Sequence, residues 1–250
     1  IFALMLTIGL NHSVNELMIA WRQPIRMMWA LIAVLVVVPI VAALLILVFE
    51  LSPGTASGLA LLAAAPGAPL TTKRAQVAGA ETPYIAGLQL TLAVLAVFVT
   101  PLILSLFYSF FDLSIERASL GFVARQIGVV TVVPVLLGLS VKRVFPAFAK
   151  KVRTPLNKIS DWLFLILLAV AVIAVVAVPG FREKLLIGWP AFFALLLFSL
   201  LALAAGHLIG GPARNRKSAL AIACLARNIG LAIYLAGVVT NTYEVLPTIL

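Results

Sequence analysis

Apolar runs separated by short polar turns make up almost the whole chain. Residues 27–49, 84–111, 120–141, 161–178 and 186–209 are each predominantly apolar. At about 1.5 Å of rise per residue, a helix over any of them crosses most or all of the roughly 30 Å hydrocarbon core of a bilayer. The turns between them carry charges and helix breakers: Glu50 with Ser52-Pro53-Gly54, Gly79-Ala80-Glu81-Thr82-Pro83, residues 112–118, Pro179-Gly180, and Gly210-Gly211-Pro212. Residues 11–23 are polar and amphipathic, with Glu16 and Arg22. Residues 142–158 read as a basic linker, with Pro146 and Pro155, lying along the membrane interface. Residues 1–10 and the run that begins at Pro247 are too short to span, so the pattern predicts a helix cut short at each end.

Two further apolar runs, 56–80 and 218–240, are interrupted. In the first, Pro66, Gly67 and Pro69 fall together, and Thr71, Thr72, Lys73 and Arg74 follow at once. Proline removes a backbone donor and clashes with the preceding turn. Backbone groups left unpaired in this way are tolerated at membrane depth only inside protein or beside water. In the second, Arg227, Asn228 and Gly230 lie about midway along the run. Two interrupted helices in corresponding positions of two halves point to a transporter binding site.

Composition agrees with a membrane chain. It is 64% hydrophobic and 10% charged, with a mean hydropathy of +1.20, against about 25% charged residues in a soluble domain. The net charge of +10 sits in short loops, which makes it a topology signal and argues against nucleic acid as a partner. Arg22, Arg26, Lys142, Arg143, Lys150, Lys151, Arg153, Lys158, Arg214, Arg216 and Lys217 fall on one side of the alternating spans, predicted to be cytoplasmic. The opposite side holds little beyond Arg117, Arg182 and Lys184. Cys224 is the single cysteine, which excludes an intramolecular disulfide and a cysteine metal cluster. Neither a cofactor nor a metal is expected.

The layout also repeats. Spans starting near residues 27, 57 and 84 have counterparts near 186, 216 and 246. With an odd number of spans per copy, the second copy inserts upside down, the plan of inverted-repeat secondary transporters. The repeats are placed at residues 1–112 and 119–250.

At several motifs the chain resembles the bile acid:sodium symporter family. These are residues 4–10 (Leu-Met-Leu-Thr-Ile-Gly-Leu), Pro39, Ala65-Pro66-Gly67, Thr100-Pro101, and Arg227-Asn228-Ile229-Gly230-Leu231-Ala232. The resemblance implies an all-α polytopic membrane protein of ten helices in two inverted repeats of five, here truncated at both ends, with two crossing discontinuous helices. It further implies a panel, here residues 1–20 and 120–179, that moves against a core, here 27–111 and 186–250. Where sodium-binding members carry a glutamate, a glutamine and a further polar amide, this chain has Ala223, Arg227 and Val34. Sodium needs several oxygen ligands, preferably a carboxylate, so coupling to sodium is not expected.

The candidate substrate- or ion-binding residues are therefore Thr71, Thr72, Lys73, Arg227 and Asn228, and Pro66, Gly67, Pro69 and Gly230 supply the helix-break backbone. Lys73 is favoured over Arg74, which is expected to snorkel to the interface. Arg227 stays charged and has no acid nearby in sequence. A substrate carboxylate or helix C-terminal carbonyls are its possible partners, and it could also occupy the space of a missing cation. Gln89 is a weaker candidate. His12, His207 and Cys224 read as structural, and Trp21, Trp29 and Trp189 as interfacial. The expected function is secondary transport of a small organic anion by alternating access, with the proton as a candidate coupling partner, from an integral position in a bacterial cytoplasmic membrane. A sodium-dependent symporter and an auxin-carrier-like exporter are the alternatives. An enzyme is disfavoured, because no His-Glu-x-x-His, Gly-x-Ser-x-Gly or paired intramembrane aspartates occur.

Overall fold

A computed structural model describes residues 2–68, 71–80, 82–113, 119–177, 188–239 and 245–249. Among the described residues every regular element is helical. In chain order these are α1 (Phe2–Asn11), α2 (Val14–Trp21), α3 (Pro24–Val48), α4 (Pro53–Ala64), α5 (Thr71–Val77) and α6 (Thr82–Phe110). They are followed by α7 (Leu120–Val144), α8 (Pro146–Ala177), α9 (Trp189–Ile209), α10 (Arg214–Leu225), α11 (Ile229–Val239) and α12 (Leu246–Ile249). Helices α3, α6, α7 and α9, and the stretch Arg214–Val238, are long and apolar enough to cross a membrane.

The burial pattern is that of a bundle in lipid. On α3 the small or slender Ala30, Ala33, Val34, Val38 and Ala42 face inward, while Ile40, Leu44, Leu47 and Val48 are exposed. Large apolar side chains on the outside would be a liability in water; in hydrocarbon they cost nothing, and small residues inside let backbones approach. Gly9 on α1 and Gly138 on α7 show how closely. A Cβ at Gly9 would lie 2.1 Å from the Val135 carbonyl, and one at Gly138 2.4 Å from that of Leu6. The broken helices lie innermost: Ala56 to Ala64 of α4 are buried on every side, and α11 buries the face that carries Leu231, Ala232, Leu235 and Ala236.

Residues 142–158 are not the linker the prolines suggest. Helix α7 runs on to Val144, Phe145 alone turns the corner (φ −126°, ψ 64°), and α8 starts at Pro146. Proline is favourable in a first helical turn, where its missing N–H has no partner to lose. Pro155 lies inside α8, which continues through it to Ala177. One lost backbone bond does not end a helix of 32 residues.

Candidate functional site

The first break begins where Pro66 denies the Leu62 carbonyl its i+4 donor. Helix α4 stops at Ala64, Gly67 takes a left-handed backbone (φ +77°), and α5 resumes at Thr71. Pro69 lies outside the described residues. Buried carbonyls freed in this way need donors from elsewhere, and they find them one by one. Ala64 O accepts from the Thr100 hydroxyl at 2.6 Å. Ala65 O accepts from the backbone N–H of Asn228 at 2.9 Å. Gly67 O accepts from the Gln89 amide at 2.7 Å. Leu62 O accepts from Ala65 N at 3.2 Å and from Arg227 Nε at 3.1 Å, and Ala63 O accepts from Arg227 Nη2.

The second break is shorter. Helix α10 ends at Leu225, residues 226–228 are non-helical, and α11 starts at Ile229. Asn228 is the N-cap of α11: its Oδ1 accepts from Leu231 N at 3.0 Å and its carbonyl from Ala232 N at 2.9 Å. An asparagine cap satisfies an otherwise orphaned donor. Gly230, expected from sequence in the break itself, instead lies inside the first turn of α11.

A third irregularity completes the site. Over Ala33–Val37 α3 widens to a π turn, in which Val38 N–H bonds to Ala33 O. In that register the next donor, for Val34 O, would be residue 39, which is proline and has none. The unclaimed Val34 carbonyl accepts from Arg227 Nη1 at 3.3 Å.

Arg227 is thus buried, at 6% exposure, with Nε, Nη1 and Nη2 all on backbone carbonyls. Two of those carbonyls belong to the last turn of α4, the negative end of its dipole. The guanidinium sits where converging carbonyls make a cation site, and among the described residues its contacts are to oxygen dipoles, not to a carboxylate. Among the described residues no cluster of three or more His, Cys, Asp or Glu side chains could hold a metal.

Beside it opens a cavity of about 630 Å³. Thr71, Arg74, Arg227 and Asn228 form its polar wall, and Leu195, Phe198 and Ile222 lie on its apolar one. The Thr71 hydroxyl is buried and has no hydrogen-bond partner among the described residues, and the same holds for the Gln89 carbonyl oxygen. Thr72 does not line the cavity; its hydroxyl lies 3.4 Å from His12 Nε2. Lys73 belongs to α5 by its backbone, and its side chain lies outside the described residues. Sequence reasoning set Arg74 aside in favour of Lys73. The available signal was helical spacing, since Thr71 and Arg74 stand three residues apart on one face of α5.

Two helices broken against each other, with their freed backbone paired by side chains from elsewhere in the bundle, define a polytopic membrane protein built around a discontinuous-helix crossing. The sodium bile acid symporter family model matches residues 1–179. The chain therefore belongs to that family of membrane transporters, and the second break lies beyond the matched segment. A comparison with curated proteins gives no match.

Proposed function

We propose that the protein is a secondary transporter that moves a small organic anion by alternating access without sodium. Arg227 serves as a built-in cation at the crossing, and the anion binds in the adjacent cavity against Arg74 and the Thr71 hydroxyl. The observation that carries this reading is the placement of the Arg227 guanidinium on the carbonyls of Val34, Leu62 and Ala63. A fixed positive charge there competes with a sodium ion for the same oxygens. Ala223, at the position of the family's glutamate, supplies no carboxylate. Arg74 lines the cavity and makes no ion pair among the described residues, which leaves its donors for a ligand. Thr71 adds a buried hydroxyl without a partner among the described residues. The apolar wall at Leu195, Phe198 and Ile222 suits an anion with a hydrophobic body.

In this reading residues 1–20 and 120–179 move as a panel against the core of residues 27–111 and 186–250, and the basic loops face the cytoplasm of a bacterial cell. The test is uptake of radiolabelled taurocholate and a set of smaller carboxylates into proteoliposomes, with a sodium or a choline gradient. Uptake of at least one anion is expected at the same rate in both. Arg74→Gln is expected to weaken its apparent affinity roughly tenfold or more, the loss of a charge-assisted contact. Uptake only in sodium, or unchanged in Arg74→Gln, would overturn the assignment.

A further inference from the structure

His12 sits in the two-residue link between α1 and α2 and is buried, at 7% exposure. Its Nδ1 lies 3.3 Å from Glu16 Oε2 and its Nε2 lies 3.4 Å from the Thr72 hydroxyl. The chemistry of the partners sets the tautomer. An ionised carboxylate only accepts, so Nδ1 carries a hydrogen and donates it. In the neutral ring Nε2 is then the acceptor, and Thr72 donates to it. The imidazole thus holds the half-helix α5, on the far side of the first break, to the α1–α2 link.

The surroundings give that ring a place for one proton. Glu16 on α2 is ionised: burial pushes its carboxyl up, but the hydrogen bonds from His12 and from Ser13 N–H outweigh it and hold the group below the ordinary carboxylate range. Lys142 on α7 opposes it, with its ammonium 2.7 Å from the His12 carbonyl and 3.0 Å from that of Asn11. Arg153 on α8 adds a more distant positive charge, and the α8 side chain that reaches the link is the neutral Asn157, 2.9 Å from Asn11. Helix α6, packed on α2 through Gly87, carries no charged side chain. From α5 the neutral Thr72 faces the ring, and Lys73 is its neighbour in sequence.

We propose that His12 is a proton-binding site of this transporter. A proton from water goes onto Nε2, and the His12–Thr72 link transmits it to α5, so that protonation takes the part sodium plays elsewhere in the family. The reasoning rests on the sodium-free reading above. Protonation changes Nε2 from acceptor to donor and sets a second cation beside Lys142 in a buried site. A bound proton shifts a conformational equilibrium only through its differential affinity for the two states. The Thr72 hydroxyl must then turn from donating to accepting, with the imidazolium held between the Glu16 carboxylate and the Lys142 ammonium, so acid changes how α5 is held to the link.

The sequence holds two histidines, His12 and His207. Nitrogen-15 labelling of histidine in the full chain with His207→Gln, in lipid nanodiscs, follows the His12 ring alone. Spin labels at Val77→Cys on α5 and Lys151→Cys on α8, in a Cys224→Ala background, report the distance between the half-helix and the opposing helices. The His12 nitrogen-15 shifts are expected to respond to acid, and the distance distribution to shift with them. His12→Gln is expected to abolish the shift, and Thr72→Val to abolish it while the His12 nitrogen-15 shifts still respond to acid. His12 nitrogen-15 shifts that do not respond to acid, or a distance shift that survives in His12→Gln, would overturn the proposal. Neither readout uses a transported substrate. Loss of the pH response removes the proton site and leaves anion transport standing. An intact pH response in a protein that moves none of the tested anions supports the site and removes the transport reading.

Discussion

The two helix breaks solve one physical problem in opposite ways. The first is made by proline and leaves carbonyls behind, so it depends on donors from other elements: Thr100 and Gln89 from α6, Arg227 and the backbone of Asn228 from the second break. The second break contains no proline, caps its own resumed helix with Asn228, and has a cation to give away. One break is a cluster of negative dipoles and the other supplies a fixed positive charge. Neither is stable at membrane depth alone, which explains why they lie against each other. The difference also separates two kinds of hydroxyl at the first break. Thr100 is committed to a carbonyl, whereas Thr71, equally buried, has no partner among the described residues.

Substitutions can break that comparison in graded steps. Arg227→Met removes the shared cation and strips the Val34 and Ala63 carbonyls of their donors, while Leu62 O keeps Ala65 N. At about 1–3 kcal/mol per orphaned buried group, a loss of about 2–6 kcal/mol is expected in thermal unfolding in detergent. Arg227→Lys should recover only part of this, since an ammonium cannot reproduce the planar fork. Thr100→Val orphans one carbonyl and is expected to cost about 1–3 kcal/mol in the same measurement. Asn228→Ala removes a cap, worth about 1 kcal/mol. Thr71→Val should differ in sign: deleting a hydroxyl that is buried unpaired is expected to be neutral, or stabilising by about 1 kcal/mol, yet to reduce anion uptake in proteoliposomes. A destabilised Thr71→Val protein would mean that its hydroxyl is structural and the distinction between the two threonines is wrong.

The first break was legible because Pro66 and Gly67 are breakers in any context, and the second because an arginine midway along an apolar run demands an explanation. The family was legible from the order of its motifs. What sequence did not disclose depends on distant pairings. The Val34 acceptor exists only because a π turn in α3 ends next to Pro39, and nothing local connects that to Arg227. Thr100 and Gln89 read as ordinary polar residues on a span until the carbonyls opposite them are seen. His12 looked like a helix-end histidine because Thr72 and Lys142, which enclose it, come from α5 and α7. Residues 142–158 were misread because Pro146 marks the start of a helix as readily as the end of one.

The central claim is that the Arg227 guanidinium already fills the cation position at the crossing. Thermal unfolding across a sodium titration, at constant ionic strength with choline as the replacement, tests it without any substrate. A ligand that binds only the folded state stabilises it by about 2.7 kcal/mol at a hundred times its dissociation constant. A flat curve is expected for the unaltered protein, and a rising one for Ala223→Glu with Arg227→Gln, which introduces the carboxylate and the amide that the resemblance to sodium-binding members implies at these positions. Sodium-dependent stabilisation of the unaltered protein would contradict the claim.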